Sequence, residues 1–132
     1  MKIGDAATHE LEITDTNIRG FADLLGDHNP VHLDEDFART TRFGRRIAHG
    51  MIAASLISTV LGTKLPGPGT IYLSQSLKFL APVYLGDTIT ARVAVTSLNE
   101  GKLVATLETI CTNQNGETVL QGEAVVLFTA RS

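Results

Sequence analysis

An acid, an amide and an imidazole lie within six residues of one another in the segment Gly26-Asp27-His28-Asn29-Pro30-Val31-His32. A carboxylate and an imidazole this close can share one water molecule, one group taking its proton while the other orients the water or returns a proton to a substrate. Both groups ionise at or below neutral pH when unperturbed, so modest burial would tune either pKa. A plain turn is the commoner explanation for such a loop, with Asp27 and Asn29 bonding the local backbone and His32 packing or capping.

The same segment raises the question of a metal site, because His28 and His32 are four residues apart and Asp27 adjoins them. Side chains at this spacing converge on one metal ion when they share a helix face. Asn29-Pro30 works against a helix here, since the proline ring pushes the preceding residue into an extended conformation. We therefore expect no metal ion at this segment.

A glycine at the start of an apolar run, in Ile47-Ala48-His49-Gly50-Met51, could act through its backbone. The first N–H groups of a helix lack intrahelical acceptors and lie at the positive end of its dipole, so the Gly50 amide could polarise a carbonyl group. The absence of a side chain would let a substrate approach closely. A simple helix start, with His49 packed or capping, accounts for the same residues at least as well.

Small residues recur along the helix that this glycine would begin. Gly50, Ala54 and Ser58 repeat every four residues and lead to Leu61. This stripe could line a channel for an apolar chain, or it could let another element pack closely while Ser58 bonds the carbonyl of Ala54. The candidate channel residues are Ala54, Leu61, Leu65 and Val126.

Four arginines lie between the two motifs, in Arg39-Thr40-Thr41-Arg42-Phe43-Gly44-Arg45-Arg46. Arginine forks match the geometry of phosphate groups. Arg42, Arg45 and Arg46 could therefore receive the phosphates of coenzyme A or the acidic surface of an acyl carrier protein. A charged run is also commonly a solvated loop, and the residues alone leave both interpretations open.

Two helices are needed to position these groups. A first helix of about three turns, capped at Asp15 or Thr16 and ended by Gly26, leads into the acid–imidazole segment. Residues 50–63 are apolar on nearly every face, which predicts a second helix that is buried all round. Two prolines and two glycines within residues 64–69 end that helix.

The rest of the chain is predicted as strands. A short alternating segment at residues 9–13 comes first, and longer strands follow at 70–80, 87–98, 103–112 and 118–129, with the last two turns as hairpins. A long buried helix followed by an antiparallel meander predicts an α+β hot-dog fold, in which the sheet wraps around the helix. A generic two-layer α+β sandwich fits the same pattern.

Composition and charge narrow the class of protein. A chain of 132 residues is predicted to form one domain over residues 1–132. Its net charge of -3, without a block of like charge, makes nucleic acid an unexpected partner. The longest apolar run, 51–61, is too short to span a bilayer, so we expect no membrane association and a cytoplasmic location. The lone Cys111 excludes an intrachain disulfide and is expected to pack in a strand.

Three segments together, residues 26–32, 47–51 and 66–73, resemble the MaoC-like (R)-specific enoyl-CoA hydratases, and the likeness runs from about residue 4 to residue 128. Asp-x-Asn-Pro-x-His is the hydratase signature of that family, and a His-Gly-Met helix start follows it at the family's distance. The likeness is greatest to short bacterial members with one hot-dog domain, which supply (R)-3-hydroxyacyl-CoA from β-oxidation for polyhydroxyalkanoate synthesis. His28 falls on a variable position and receives no role.

The resemblance implies a reaction, the hydration of trans-2-enoyl-CoA to (R)-3-hydroxyacyl-CoA. Asp27 and His32 would activate the water that attacks Cβ, with a proton delivered to Cα on the same face. Asn29 would order the loop and the water. The Gly50 amide would polarise the thioester carbonyl, and Ser58 would lie in the pocket near the catalytic pair.

The resemblance also implies a homodimer, with two sheets joined edge to edge and each site near the interface. No cofactor is expected, because the coenzyme A thioester is itself the substrate, and acyl carrier protein is the alternative carrier.

Other functions fit parts of the pattern. A 3-hydroxyacyl-carrier-protein dehydratase would share the site. A hot-dog thioesterase would place an acid on the central helix, where this chain has only Ser55, Ser58 and small or apolar residues. A non-catalytic acyl-CoA-binding subunit would have lost the acid, so Asp27 and His32 disfavour it.

Overall fold

A computed structural model describes residues 1–129, so the last three residues of the predicted 1–132 domain lie outside the described range. Its first half is mainly helical and its second half is β. The elements, in chain order, are β1 (Ala6–Glu12), α1 (Asp15–Leu25), α2 (Pro30–Leu33), α3 (Glu35–Arg39), α4 (Gly50–Thr63), β2 (Ile71–Gln75), β3 (Lys78–Phe79), β4 (Thr88–Asn99), β5 (Val104–Thr112) and β6 (Thr118–Leu127).

The strands form one antiparallel, open sheet in the order β1-β4-β5-β6-β2, with β3 also paired to β6. The early strand β1 adds to the outer side of β4, and α4 packs against β1, β4 and β5. A long helix held against an antiparallel sheet confirms the predicted α+β hot-dog fold. No helix within residues 1–129 is long and apolar enough to cross a bilayer.

The core lies between α4 and the inner face of the sheet. Alternate residues of β4 and β5 point inward and are buried, as the two-residue period of a strand requires. Cys111 is one of them, and its thiol donates to the carbonyl of Ala53 at 3.4 Å. Its complete burial in β5 confirms the predicted packing role, and this burial also raises the pKa of Cys111 to about 12.

Helix α4 is not buried all round, and that prediction was wrong for one face. Met51, Ser55 and Ser58 are exposed along one side of the helix, and Met51 is 50% exposed. The opposite side carries Ile57 and Val60, which are fully buried. The sequence did not predict this difference between the two sides, because the residues at the exposed positions are also small or apolar.

The predicted strand at 70–80 is divided into β2 and β3. The register with β6 shifts between Tyr72 and Ser74, and the chain then crosses close over Gly122. A Cβ placed on Gly122 would lie 1.8 Å from the carbonyl oxygen of Ser76, so only glycine permits this crossing. The Ser76 amide donates to the carbonyl of Glu123 at 2.9 Å, which fixes the crossing point.

Helix α1 begins one residue earlier than the caps predicted for it. Thr14 is the N-cap, and its hydroxyl accepts from the Asn17 amide at 3.1 Å. Asp15 is therefore free to bind side chains instead of capping. The predicted stop at Gly26 is confirmed, since that residue adopts the left-handed conformation at φ 78°.

Candidate active site

The acid–imidazole segment is a turn joined to a short helix. Pro30 does not prevent helix but begins α2, because a proline is tolerated at the first helical position, where no intrahelical N–H bond is needed. Asn29 caps α2, its side-chain oxygen accepting from the Val31 amide at 3.1 Å. Asn29 thus orders the loop, as predicted, while its contact with a water molecule stays a prediction.

His32 is buried in α2 and has a defined tautomer. Its Nδ1 lies 2.8 Å from the carbonyl oxygen of Ile47. A carbonyl can only accept, so Nδ1 carries the proton and the lone pair of the neutral ring is on Nε2. Burial lowers the pKa of His32, against smaller opposing effects of the Ile47 carbonyl and Asp27. The neutral ring is therefore favoured, and Nε2 can accept a proton.

Asp27 supplies the carboxylate beside this base. Its side chain is 56% exposed, and its Oδ1 accepts a long, 3.4 Å hydrogen bond from the Asn29 amide. One side-chain atom from each of Asp27, His32 and His49 lies within 4.8 Å of the other two. The structure thus brings the predicted pair together, one group open to solvent and the other enclosed.

His49 is the member of this group that the sequence did not identify. It is the N-cap residue of α4 but makes no side-chain capping bond. Its ring instead stacks on that of His32, with centroids 3.8 Å apart, and its Nε2 lies 2.9 Å from the carbonyl oxygen of Asp27. The signals in the sequence were a histidine directly before the predicted helix and its place in the His-Gly-Met helix start, and neither gave it a role.

The same three side chains also offer ligand atoms for a metal ion. One nitrogen of each imidazole donates to a backbone carbonyl, an arrangement compatible with either a metal ligand or a proton acceptor at the other nitrogen. The expectation that no metal binds stays a prediction.

Arg46 contradicts its predicted contact with a phosphate. It is buried, its Nε donates to the His32 carbonyl at 2.7 Å, and its terminal nitrogen lies 2.6 Å from Asp15 Oδ1. Hydrogen bonds from Arg46 and then Arg19 hold the pKa of Asp15 below its usual value. Two of the guanidinium nitrogens are bonded inside the protein, and these bonds tie α2 to the start of α1.

The other two arginines remain accessible. Arg42 and Arg45 are exposed, and each lies over an aromatic ring, Phe43 at 5.2 Å and Tyr84 at 3.9 Å. The ring covers one face of each guanidinium, but both arginine side chains are exposed. Their predicted contact with coenzyme A phosphates is therefore sterically open.

A groove of about 340 Å³ follows the exposed face of α4 and is closed on its other side by residues 72–75 and Leu77. Ala54 and Ser58 line it, and the role of the groove as an acyl channel stays a prediction. Within residues 1–129 the Ser58 hydroxyl makes no hydrogen bond, so its alternative bond to the Ala54 carbonyl is not formed.

Three predicted channel residues do not line this groove. Leu61 of α4 and Val126 of β6 are buried in the core, and Leu65 packs against it, so none of the three is among the residues that line the groove. Their assignment to the channel wall is not supported by this arrangement.

Gly50 begins α4, where its amide has no intrahelical acceptor. It also lines a second groove of about 380 Å³, together with Arg42 and the segment 79–83. A Cβ on Gly50 would lie 2.8 Å from the ring of Phe79, so the absence of a side chain allows that ring to pack close to the helix start.

Comparison with known proteins gives consistent relatives. The family profile described as "MaoC like domain" matches residues 3–115. An (R)-specific enoyl-CoA hydratase of Rhodospirillum rubrum is 52% identical over 99% of this chain and 90% of its own length. A 3-hydroxybutyryl-CoA dehydratase of Methylorubrum extorquens is 47% identical over 96% of this chain and 80% of its length. The solved (R)-hydratase from A. caviae involved in PHA biosynthesis superposes with a TM-score of 0.95 at 47% identity, covering 98% of both chains.

Proposed function

We propose, from the premise that this chain belongs to the MaoC-like domain family, that it is an (R)-specific enoyl-CoA hydratase, a hydro-lyase. It would add water to a trans-2-enoyl-CoA and form (R)-3-hydroxyacyl-CoA, linking β-oxidation to polyhydroxyalkanoate synthesis. The observation that carries the proposal is the Asp27–His32 pair, in which an enclosed neutral imidazole lies beside a solvent-exposed carboxylate.

The pair would hold one water molecule from two sides. The Nε2 lone pair of His32 takes one proton from the water, while the Asp27 carboxylate accepts a hydrogen bond from the other O–H, which stays on the oxygen. The water oxygen forms a bond to Cβ, and the π electrons of the double bond move to Cα and into the thioester carbonyl. The proton held on the pair is then delivered to Cα on the same face, which leaves both side chains in their starting states.

The Gly50 amide would stabilise the negative charge that develops on the thioester oxygen. It is the first N–H of a 14-residue helix, so the positive end of the helix dipole adds to its hydrogen bond. The thioester supplies the electrophile, and for that reason we propose that no cofactor takes part.

The substrate would extend in two directions from this carbonyl. We assign the acyl chain to the groove lined by Ala54 and Ser58, and the coenzyme A phosphates to Arg42, which lines the second groove, and to the exposed Arg45. An acyl carrier protein would meet the same two arginines. Hydration and dehydration are two directions of one equilibrium, so a 3-hydroxyacyl-thioester dehydratase would use the identical site.

We further propose a homodimer, joined at the outer edge of β2. That edge is paired with no other strand of residues 1–129. Ile71, Tyr72 and Leu73 along it are exposed, and Phe79 and Leu80 are exposed as well. An exposed apolar edge strand is ordinarily covered by a partner. The cytoplasmic location stays a prediction.

The decisive assay follows the absorbance of the enoyl thioester in crotonyl-CoA together with the release of free thiol. A hydratase removes the enoyl absorbance without releasing thiol, and chiral analysis identifies the product as the (R)-3-hydroxy isomer. Thiol release would instead identify a thioesterase. Crotonyl-pantetheine attached to an acyl carrier protein, assayed in parallel, distinguishes the two carriers by their kcat/KM values.

A further inference from the structure

His49 contacts both members of the candidate catalytic pair and is enclosed by them. Its side chain is 3% exposed. One face of its ring lies against His32, and Phe21 of α1 lies 5.1 Å from its centroid at an angle of 57°. The imidazole thus joins α1, the loop at Asp27, α2 and the start of α4 at a single point.

The hydrogen bonds of His49 determine its tautomer. The Asp27 carbonyl at 2.9 Å can only accept, so Nε2 carries the proton. In the neutral ring Nδ1 then holds a lone pair, and this atom is buried without a hydrogen-bond partner among the described residues. Such a group is costly to bury, so a role limited to filling space would be served better by an apolar ring.

The two histidines are held in opposite tautomers by two backbone carbonyls. His32 donates through Nδ1 to Ile47, and His49 donates through Nε2 to Asp27. Only Ala48 separates Ile47 from His49, so both hydrogen bonds involve the short segment that leads into α4. This segment therefore holds both the main chain of Asp27 and the ring of His32 in place.

We propose that His49 is a positioning residue for the hydration reaction, which fixes the Asp27 carboxylate and the His32 imidazole relative to each other by donating to the Asp27 main chain and stacking on the His32 ring. This inference rests on the proposed function. In this proposal His49 contacts neither the water nor the substrate, and it affects the reaction only through Asp27 and His32.

The two contacts can be separated by substitution. His49→Phe keeps a ring against His32 but removes the donor to Asp27, whereas His49→Gln keeps a donor and removes the ring. We expect kcat to fall by roughly 10- to 100-fold in His49→Phe and by a smaller factor in His49→Gln, since small displacements of reacting groups cost rate steeply. KM for crotonyl-CoA should change by less than about twofold in both, because no substrate contact is lost.

Phe21→Leu is the matched control. It removes the ring packed on the other side of His49 and leaves the contacts to Asp27 and His32 in place. It should lower the melting temperature while keeping kcat within about twofold of wild type. A purely structural role for His49 would instead make kcat follow melting temperature across all three variants, and that result would overturn the proposal.

A second measurement uses only the wild-type protein, so it requires neither a folded variant nor enzymatic activity. Nitrogen-15 NMR of the histidine rings in the wild-type protein should show the Nε2–H tautomer for His49 and the Nδ1–H tautomer for His32. Nδ1–H at His49 would remove the donor to Asp27 and refute the inference. If wild-type protein fails to hydrate crotonyl-CoA, the proposed function fails; if it hydrates but His49→Phe and His49→Gln match wild-type kcat, only the positioning role fails.

Discussion

The buried imidazole of His32 makes the activity depend on pH in a direction that follows from its surroundings. Desolvation in α2 lowers the pKa of His32 below its ordinary value of 6.5. His49 opposes its protonation further, while the Ile47 carbonyl and Asp27 partly offset these effects. The basic form is thus retained to lower pH than in a free histidine.

We expect the acid limb of kcat/KM for crotonyl-CoA, where His32 becomes protonated, to be centred below pH 6.5. The free energy of unfolding should also decrease as the pH falls below the pKa of His32 in the unfolded chain. The unfolded chain then binds this proton more readily than the folded protein does. A pH series of initial rates tests this. An acid limb centred above the ordinary histidine value would contradict it.

Removing either member of the pair should abolish most of the rate. Asp27→Asn and His32→Ala are each expected to lower kcat by about 10²-fold or more, the usual contribution of a positioned acid or base. His28→Gln is the neighbouring control, since the His28 ring points to Asp23 on the surface, 3.0 Å away, and should leave the rate nearly unchanged. Near-wild-type turnover in Asp27→Asn or His32→Ala would refute the assignment.

At the scale of elements, Arg46 joins the two helices that carry the site. Its guanidinium bonds the carbonyl of His32 in α2 and the carboxylate of Asp15 in α1. Arg46→Met should lower the melting temperature by roughly 4–8 °C, since a buried carbonyl loses its donor. It should also reduce kcat, because the His32 segment is no longer tied to α1.

Arg19→Met provides the comparison for that experiment. Arg19 binds the same carboxylate, but its side chain is 52% exposed, so its loss should shift the melting temperature little. Thermal melts of both variants, with kcat measured at 25 °C, separate the buried interaction from the exposed one. Equal decreases in melting temperature in the two variants would show that the buried Arg46 interaction stabilises the protein no more than the exposed Arg19 interaction.

The elements themselves were largely readable from the sequence. Periodicity and turn residues located α1, α4 and the later strands, because these patterns are local. The division of the strand at 70–80 was not readable, since it depends on the approach of Ser76 to Gly122 in another strand. The prediction that α4 is buried on all sides was also wrong. The hydropathy of a helix depends on its own residues and does not show whether another element packs against each of its sides.

The site was predicted in part for a similar reason. Asp27 and His32 lie five residues apart, and their proximity follows from the chain alone. His49 bonds a residue 22 positions away and Arg46 one 31 positions away, so neither contact leaves a local pattern. In the sequence Arg46 cannot be distinguished from the exposed Arg42 and Arg45, and only the fold shows that it binds Asp15.

At the scale of the whole molecule, the apolar edge at β2 predicts an assembly. Leu73 is 51% exposed and lies at the register shift between β2 and β6. Leu73→Lys should convert a dimer into a monomer, because a charge on an edge strand opposes pairing between edges. Light scattering coupled to size-exclusion chromatography measures the mass directly.

Thr106→Lys serves as the control, since Thr106 lies in β5, away from the sheet edge. It should leave the mass of the wild-type assembly unchanged. A wild-type monomer at micromolar concentration would contradict the proposed dimer. An unchanged dimer in Leu73→Lys would place the contact on another surface.

The crossing of Ser76 over Gly122 also constrains how this protein can evolve. A Cβ at that position meets backbone and not a movable side chain, so no compensating change in a neighbouring side chain can make room for it. In a saturation scan, Gly122 should tolerate no replacement, whereas Gly20 on the open surface of α1 should accept many. Sequence drift is thus blocked at one point of the sheet by the path of the main chain alone.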